Sequence, residues 1–300
     1  MTPRTESGRS VLVTGHRGFS GQYVIEALAR DGFEVVGLTV DGSLDATAID
    51  ILDRQSVLDA VAEIRPRYVI HLAAIAFVAH GDAEEMYRVN VVGTRNLLEA
   101  LAAHGQGIEH ALLASSANIY GNSDQEVLSE SLTPRPANDY AVSKIAMEYM
   151  ARLWMHRVPM TLVRPFNYTG VGQADQFLLP KIVDHFRRGE RTIELGNIEV
   201  AREFQDVRFV ASAYVRMLKA TPAGDAVNLC SGISVSLTDV IRAMETIAGY
   251  AIEVKVNPAF VRANEVARLT GDTRRLVAMI GPLDTIPLEQ TLRWMYTHAG

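Results

Sequence analysis

Cysteine is nearly absent from this 300-residue chain, where Cys230 stands alone. One thiol cannot close an internal disulfide or build a thiolate metal cluster, which fits a reducing compartment. Long apolar runs are missing as well. The longest, Val69 to Ala79, is interrupted by His71 and is too short to span a bilayer. The opening residues MTPRTESGRS are polar and lack the apolar core of a signal peptide. Positive charge is not in excess. The formal net charge of -6 argues against a nucleic-acid surface and offers no attraction to anionic lipid. A few local arginines could still bind an anionic small substrate. There are no repeats, charge blocks or low-complexity linkers. What remains is 48% hydrophobic and 21% charged, ordinary for a globular protein with room for one large or two modest domains. The expectation is a soluble, cytoplasmic, enzyme-sized chain with no metal, no membrane and no nucleic-acid partner.

Ser10-Val11-Leu12-Val13-Thr14 is a short β-branched run with glycines behind it, the pattern of a buried parallel strand. Gly15-His16-Arg17-Gly18-Phe19-Ser20-Gly21 then leads into an amphipathic stretch, Tyr23 to Arg30. Glycines let the backbone approach a pyrophosphate, and the free N–H groups of the following helix bind the anion. Strand before and helix after supply the context that this motif requires. A second strand, Glu34 to Val40, ends near Asp41, which lies one or two positions late for an acidic partner of an NAD ribose. Arg17, within the glycine loop, could instead pair with a 2′-phosphate, or simply be solvated. The tilt is towards NADPH, with NADH as the alternative.

Asp50-Ile51-Leu52-Asp53 leads into a helix from Gln55 to Ile64, and Arg67 to Leu72 is a strand running into Ala73-Ala74. These small residues would let a cofactor pass close to the backbone. Residues 83 to 103 form one long helix containing Asn90, and His110 to Ser115 is a strand ending in Ser115-Ser116-Ala117-Asn118. Asn138 caps a helix carrying Tyr140 and Lys144 four residues apart, hence on one face, with Val142, Ala146, Met150 and Leu153 as its apolar stripe. An ammonium one turn from a phenol favours phenolate and lowers its pKa towards the working range. Pro159 to Arg164 is the next strand. The alternation gives an open, doubly wound parallel α/β sheet. After residue 167 a smaller α/β lobe follows, with helices near 176–188, 206–219 and 237–248 and strands at 191–198, 226–230 and 252–256.

The glycine triplet, a Ser at the end of a later strand and the YxxxK helix together resemble the extended short-chain dehydrogenase/reductase superfamily, over essentially the whole chain. The resemblance implies a Rossmann-type sheet with a nucleotide-sugar lobe. It assigns 1–167, with part of about 203–228 returning, to dinucleotide binding, and 168–202 with 229–300 to the substrate. It implies cofactor contacts from Gly15, Arg17, Gly18, Phe19, Gly21, Asp50 with Ile51, Leu72, Ala73, Ala74 and Asn90. Ser116 matches the catalytic serine, with Ser115 as an adjacent alternative, beside Tyr140 and Lys144. The long helix and the Tyr140 helix resemble those of a four-helix dimer contact, which implies a homodimer.

Arg164-Pro165-Phe166-Asn167, Gly172-Gln173, Arg202-Glu203-Phe204-Gln205-Asp206 and Asn228-Leu229-Cys230-Ser231-Gly232 are similar to nucleotide-sugar enzymes. The likeness is greatest to GDP-4-keto-6-deoxy-D-mannose reductases, although Glu203 stands where those show Asp. It implies a GDP-linked sugar as substrate, with Arg202 and Arg262 on the diphosphate, Asn167 in contact with it, Glu265 on the ribose or base, and Asn118 orienting the sugar. Dehydratases of the superfamily need an acid/base pair where this chain has Ala117 and Asn118, which cannot exchange protons that way. The Cys and His of GDP-fucose synthases are also missing at their positions. The expected reaction is NADPH-dependent reduction of the C4 ketone of a nucleotide-linked 4-keto-6-deoxyhexose. A 4-epimerase and a non-catalytic cofactor sensor are the alternatives, and the C4 stereochemistry of the product is left open.

Overall fold

The computed structural model describes residues 9–39, 46–76, 83–105, 107–221, 225–258 and 268–298. Its first part runs β1 (Ser10–Thr14), α1 (Phe19–Arg30), β2 (Glu34–Thr39), β3 (Ala46–Ala48), α2 (Arg54–Ile64) and β4 (Tyr68–His71). Next come α3 (Ala83–Tyr87), a π-helical segment (Arg88–Gly93) and α4 (Thr94–His104). β5 (His110–Ala114), a 3₁₀ turn (Ala117–Tyr120), β6 (Val127–Leu128), α5 (Asp139–Arg152) and β7 (Met160–Pro165) follow. Then β8 (Tyr168–Thr169), α6 (Leu178–Arg187), β9 (Thr192–Leu195), β10 (Ala201–Glu203), β11 (Gln205–Asp206), α7 (Val207–Ala220) and β12 (Ala226–Leu229). The last are β13 (Ser234–Ser236), α8 (Leu237–Ala248), β14 (Glu253–Val256), β15 (Arg268–Gly271), α9 (Arg274–Ile280) and α10 (Leu288–Thr297).

Seven strands form one parallel sheet in the order β12-β7-β5-β4-β1-β2-β3. Helices cover both faces, which is why these strands read as unbroken apolar runs. On one face Val24 and Leu28 of α1 and Val210, Tyr214 and Leu218 of α7 pack against Val11, Val13 and Ile70. On the other, Val57 and Val61 of α2, Leu97 and Leu98 of α4 and Met147 of α5 pack against Leu12, Val69 and Leu113. The sheet is a Rossmann-type doubly wound one. The strand order reverses between β1 and β4, and a crevice opens at their carboxyl ends, the place where such sheets take ligands.

The second lobe has its own core, in which Ile182 and Phe186 of α6, Val240 and Met244 of α8 and Leu292 of α10 meet Ile193. A four-stranded sheet, β13-β10-β15-β6, lies beside it. Since β6 precedes α5 while β12 returns to the main sheet, the chain crosses between lobes repeatedly. β3, β6, β8, β10, β11, β13 and β15 were not expected from the sequence, because strands of two to four residues carry too little periodicity. α9 and α10 were missed too.

Two expectations need correction. Residues 83–103 are not one α-helix. The π segment around Asn90 adds a residue to the turn and swings Asn90 inward, where it is fully buried. On α5 the apolar stripe faces the core only in part, through Met150. Val142 and Leu153 are exposed, the latter at 72%, while Lys144 and Glu148 are buried at 4% and 0%. The charged side chains face inward because the sheet end offers them polar partners.

Candidate active site

The crevice between β1 and β4 holds a cavity of about 370 Å³. Gly15, Arg17, Gly18, Asp50, Ile51, Ala73 and Ala74 line it, together with Leu38, Ile49 and Glu85. Gly15 has φ +70° and a Cβ there would lie 2.7 Å from the Ala73 nitrogen. A Cβ on Gly21 would lie 2.3 Å from the Gly15 carbonyl oxygen. Both glycines are therefore needed for α1 to start against the loop. Gly18 caps α1 without a side-chain acceptor for the first-turn N–H groups. Asp50 folds back on the Leu52 amide at 2.8 Å, at the exposed rim. Apolar walls, the Asp50 and Glu85 carboxylates, an arginine and a helix amino end fit an adenine dinucleotide. Phe19, Gly21 and Leu72 support this cavity without lining it: Phe19 stacks on Tyr168 at 6.0 Å, and Leu72 packs into the core. Asp41 lies outside the described residues.

Ser116, Tyr140 and Lys144 converge at the ends of β5 and α5. The Ser116 side chain lies beside the Tyr140 hydroxyl, and Ser116 Oγ accepts from the Asn118 amide at 3.1 Å. Lys144 Nζ donates to the Ala114 carbonyl at 2.8 Å and lies 5.9 Å from the centre of the Tyr140 ring. The expected acidification of the phenol is not what the protein alone produces. Burial pushes the Tyr140 hydroxyl above its ordinary value and Tyr168 adds to this, while Ser116 opposes it. Burial also pulls Lys144 down to about 8, opposed by Glu148. Desolvation acts on both, in the opposite senses required by an acid and a base.

A hydrogen-bonded chain behind these groups was not read from the sequence. Thr94 Oγ1 spends its one proton on the Asn90 carbonyl at 2.8 Å, so at 2.8 Å it must accept from His71 Nε2. His71 Nδ1 is then an acceptor and takes the Thr14 hydroxyl at 2.6 Å, while Thr14 accepts from the Ala73 amide at 3.2 Å. Burial holds His71 neutral, its pKa down at about 3. The Asn90 side chain accepts from the Ile75 amide at 2.9 Å and donates to the Ile75 carbonyl at 3.0 Å and Ser143 Oγ at 2.9 Å. Ser143 Oγ donates to the Tyr140 carbonyl at 2.8 Å. Asn90 is thus a strut between the β4 loop and α5. The signals were available: His71 interrupts an apolar run, and Ser143 sits within the Tyr-to-Lys spacing.

Asn118 and Asn167 are exposed near this end of the sheet, and the Asn167 carbonyl accepts from the Gln205 amide at 2.9 Å. Arg202 is half-buried on β10 and donates to the Ala201 carbonyl at 2.8 Å. Arg262 and Glu265 lie outside the described residues. Among the described residues no group of three or more His, Cys, Asp or Glu could hold a metal ion, and no helix is long and apolar enough to cross a membrane.

Comparison with known proteins matches residues 11–230 to the NAD dependent epimerase/dehydratase family. The chain belongs to that family. It is 36% identical over 272 residues to a GDP-6-deoxy-D-talose 4-dehydrogenase from Aggregatibacter actinomycetemcomitans, covering 90% of this chain and 91% of the relative. To a GDP-6-deoxy-D-mannose reductase from Pseudomonas aeruginosa it is 34% identical over 294 residues, 94% of each chain. The solved structure of RMD from Pseudomonas aeruginosa complexed with NADPH shares 32% identity at a TM-score of 0.85, over 96% of this chain and 98% of that one. As a member of the NAD-dependent epimerase/dehydratase family, the chain is an enzyme that works with a nicotinamide dinucleotide.

Proposed function

We propose that the enzyme reduces the C4 ketone of a GDP-linked 4-keto-6-deoxyhexose with NADPH, giving GDP-D-rhamnose or GDP-6-deoxytalose. The observation that carries this is Ser116 and Tyr140 side by side over a buried Lys144, beside a dinucleotide cavity. Relatives named for GDP-6-deoxy sugars support the substrate class. Bound NADPH supplies the hydride that the carbonyl carbon takes up. Tyr140 gives its proton to the carbonyl oxygen as that oxygen becomes an alkoxide, and a phenol kept protonated by burial is ready for this. Ser116 hydrogen-bonds the same oxygen and steadies its growing charge. Lys144 would hold the nicotinamide ribose and set a positive charge below the phenol. Arg17 at the cavity wall would take the 2′-phosphate of NADPH, and Arg202 the diphosphate of the sugar nucleotide. Ala117 and Asn118 offer no acid/base pair for dehydration.

The test is incubation with NADPH and GDP-4-keto-6-deoxymannose, followed by identification of the sugar. Stoichiometric consumption of NADPH is expected, and Tyr140→Phe should lose turnover by about three orders of magnitude while still binding NADPH. Tightly retained NAD with interconversion of C4 epimers and no net consumption would replace this reading with a 4-epimerase. Saturable binding without any turnover would make the protein a sensor.

The outward apolar face of α5, with Val142, Tyr149 at 62% exposure and Leu153, lies close to exposed Val92 and is read as the contact of a homodimer. Sedimentation should give twice the chain mass, and Leu153→Lys should halve it.

A further inference from the structure

Glu148 is wholly buried on α5, one turn beyond Lys144, and nothing in the proposed chemistry uses it. Its Oε1 accepts from Ser115 Oγ at 2.6 Å and from Arg164 Nε at 2.8 Å. Its Oε2 accepts from Arg164 Nη2 at 2.7 Å and Arg152 Nη2 at 3.2 Å. Ser115 stands between Ala114, whose carbonyl holds Lys144, and Ser116. Arg164 continues to the Tyr120 hydroxyl at 2.9 Å, and Tyr120 donates to Asn228 Oδ1 at 2.7 Å. The side chains of Ser115 and, through Arg164, of Tyr120, which flank Ser116 in the chain, are therefore tied to one carboxylate, on the helix that carries Tyr140 and Lys144. Stability alone does not ask for such a device, since a buried ion pair is often matched by well-packed apolar side chains.

We propose that Glu148 is a positioning residue of the active site, holding Ser116 in register with Tyr140 and keeping the Lys144 ammonium charged. The groups facing Lys144 are Tyr140 and Glu148 on its own helix, neutral His71 from β4, and the Ala114 carbonyl with Ser115 and Ser116 from β5. Among these, Glu148 is the one carboxylate. Arg164 from β7 and Arg152 face Glu148 in turn and balance it. If Glu148 loses its charge, Lys144 loses an attraction and is left near an uncompensated Arg164, and both changes favour the free amine.

The inference rests on the reductase reading only for the roles of Ser116, Tyr140 and Lys144, and its first readout needs neither cofactor nor substrate. The chain has four lysines, Lys144, Lys181, Lys219 and Lys255, of which Lys144 alone is buried. Lysine ¹³Cε NMR of the cofactor-free protein, with Lys144→Arg assigning the signal, follows this one amine. Its midpoint is expected near 8 in the native protein and lower by at least about half a pH unit in Glu148→Gln. In Glu148→Gln/Arg164→Met, where both charges are gone, the midpoint should return more than half of the way. A folded Glu148→Gln protein with an unmoved midpoint overturns the electrostatic half of the proposal.

The double variant leaves no lone buried charge, so it tests placement even where the single variant fails to fold. It should lose kcat by about tenfold or more while KM for the sugar nucleotide and the NADPH Kd stay within about threefold. Native kcat in that variant overturns the placement half. If the native enzyme turns over no keto-sugar, the reductase reading falls, while the Lys144 titration still reports on Glu148.

Discussion

Lys144 and Tyr140 are four residues apart on one helix, and burial shifts their proton affinities in opposite directions. Lys144 is drawn down to about 8, while Tyr140 is held above its ordinary value and stays protonated at neutral pH. A reductase that needs a charged Lys144 should lose kcat/KM as the pH rises through about 8, and this limb belongs to the amine. His71, held at about 3, should add no inflection in the range where an ordinary histidine titrates. The linkage to stability has a definite sign. The folded pKa of Lys144 is depressed, so its contribution is complete above the unfolded value of 10.5 and is lost as pH falls through about 8. Denaturant titrations of native protein and Lys144→Met across that window should diverge on the acid side, with the variant the more stable there. At this scale spacing alone put Tyr140 and Lys144 on one helix face, and the structure has both on α5 beside Ser116. Spacing could not give their proton affinities, because desolvation depends on what packs around a residue and not on its neighbours in the chain.

At the level of elements, the strand, loop and first helix were legible because glycine spacing is a backbone requirement written in residue type. Gly21 illustrates the physics. An added Cβ would meet the Gly15 oxygen at 2.3 Å and His16 carbons at 2.6 Å, all backbone, so α1 must move away from the loop. Gly21→Ala should therefore weaken NADPH binding by about a hundredfold or more, as read by fluorescence titration. Gly172 is the control. It has φ +83° with nothing within 4 Å of a built Cβ, so Gly172→Ala pays only backbone strain of about 1 kcal/mol and should keep its affinity for NADPH. The π segment at Asn90 and the inward charges of α5 were opaque for the opposite reason. Periodicity assumes an unbroken 3.6-residue turn and an apolar core face. A turn widened to aim Asn90 at Ile75 and Ser143, and a helix that buries Lys144 and Glu148, violate both assumptions at the place where chemistry is organised.

Over the whole molecule, the smaller lobe was the least legible part, since its short strands are defined by partners far along the chain. Glu203 shows what holds them. It is 1% exposed on β10, where Oε2 accepts from the Ser231 amide at 2.7 Å and the Ser231 hydroxyl at 2.9 Å, and Oε1 from the Gly271 amide at 2.5 Å. One side chain thus joins β10 to the turn after β12 and to the end of β15, which pairs with β6 from the N-terminal half. The Glu203 side chain is long enough to reach both backbones. Burial raises its pKa, against these hydrogen bonds. The folded chain therefore binds this proton more tightly than the unfolded one. The associated stability is full below the unfolded carboxylate pKa and is lost as pH rises through the folded value. Glu203→Gln removes that dependence, but it also turns an N–H₂ group towards backbone donors and leaves at least one of them unpaired. The variant should be less stable by about 2 kcal/mol at neutral pH, with the difference growing as the pH is lowered. Chemical denaturation at neutral pH and again near the carboxylate range measures both. A variant as stable as the native chain at both values would mean that the lobes are held together by their apolar cores alone.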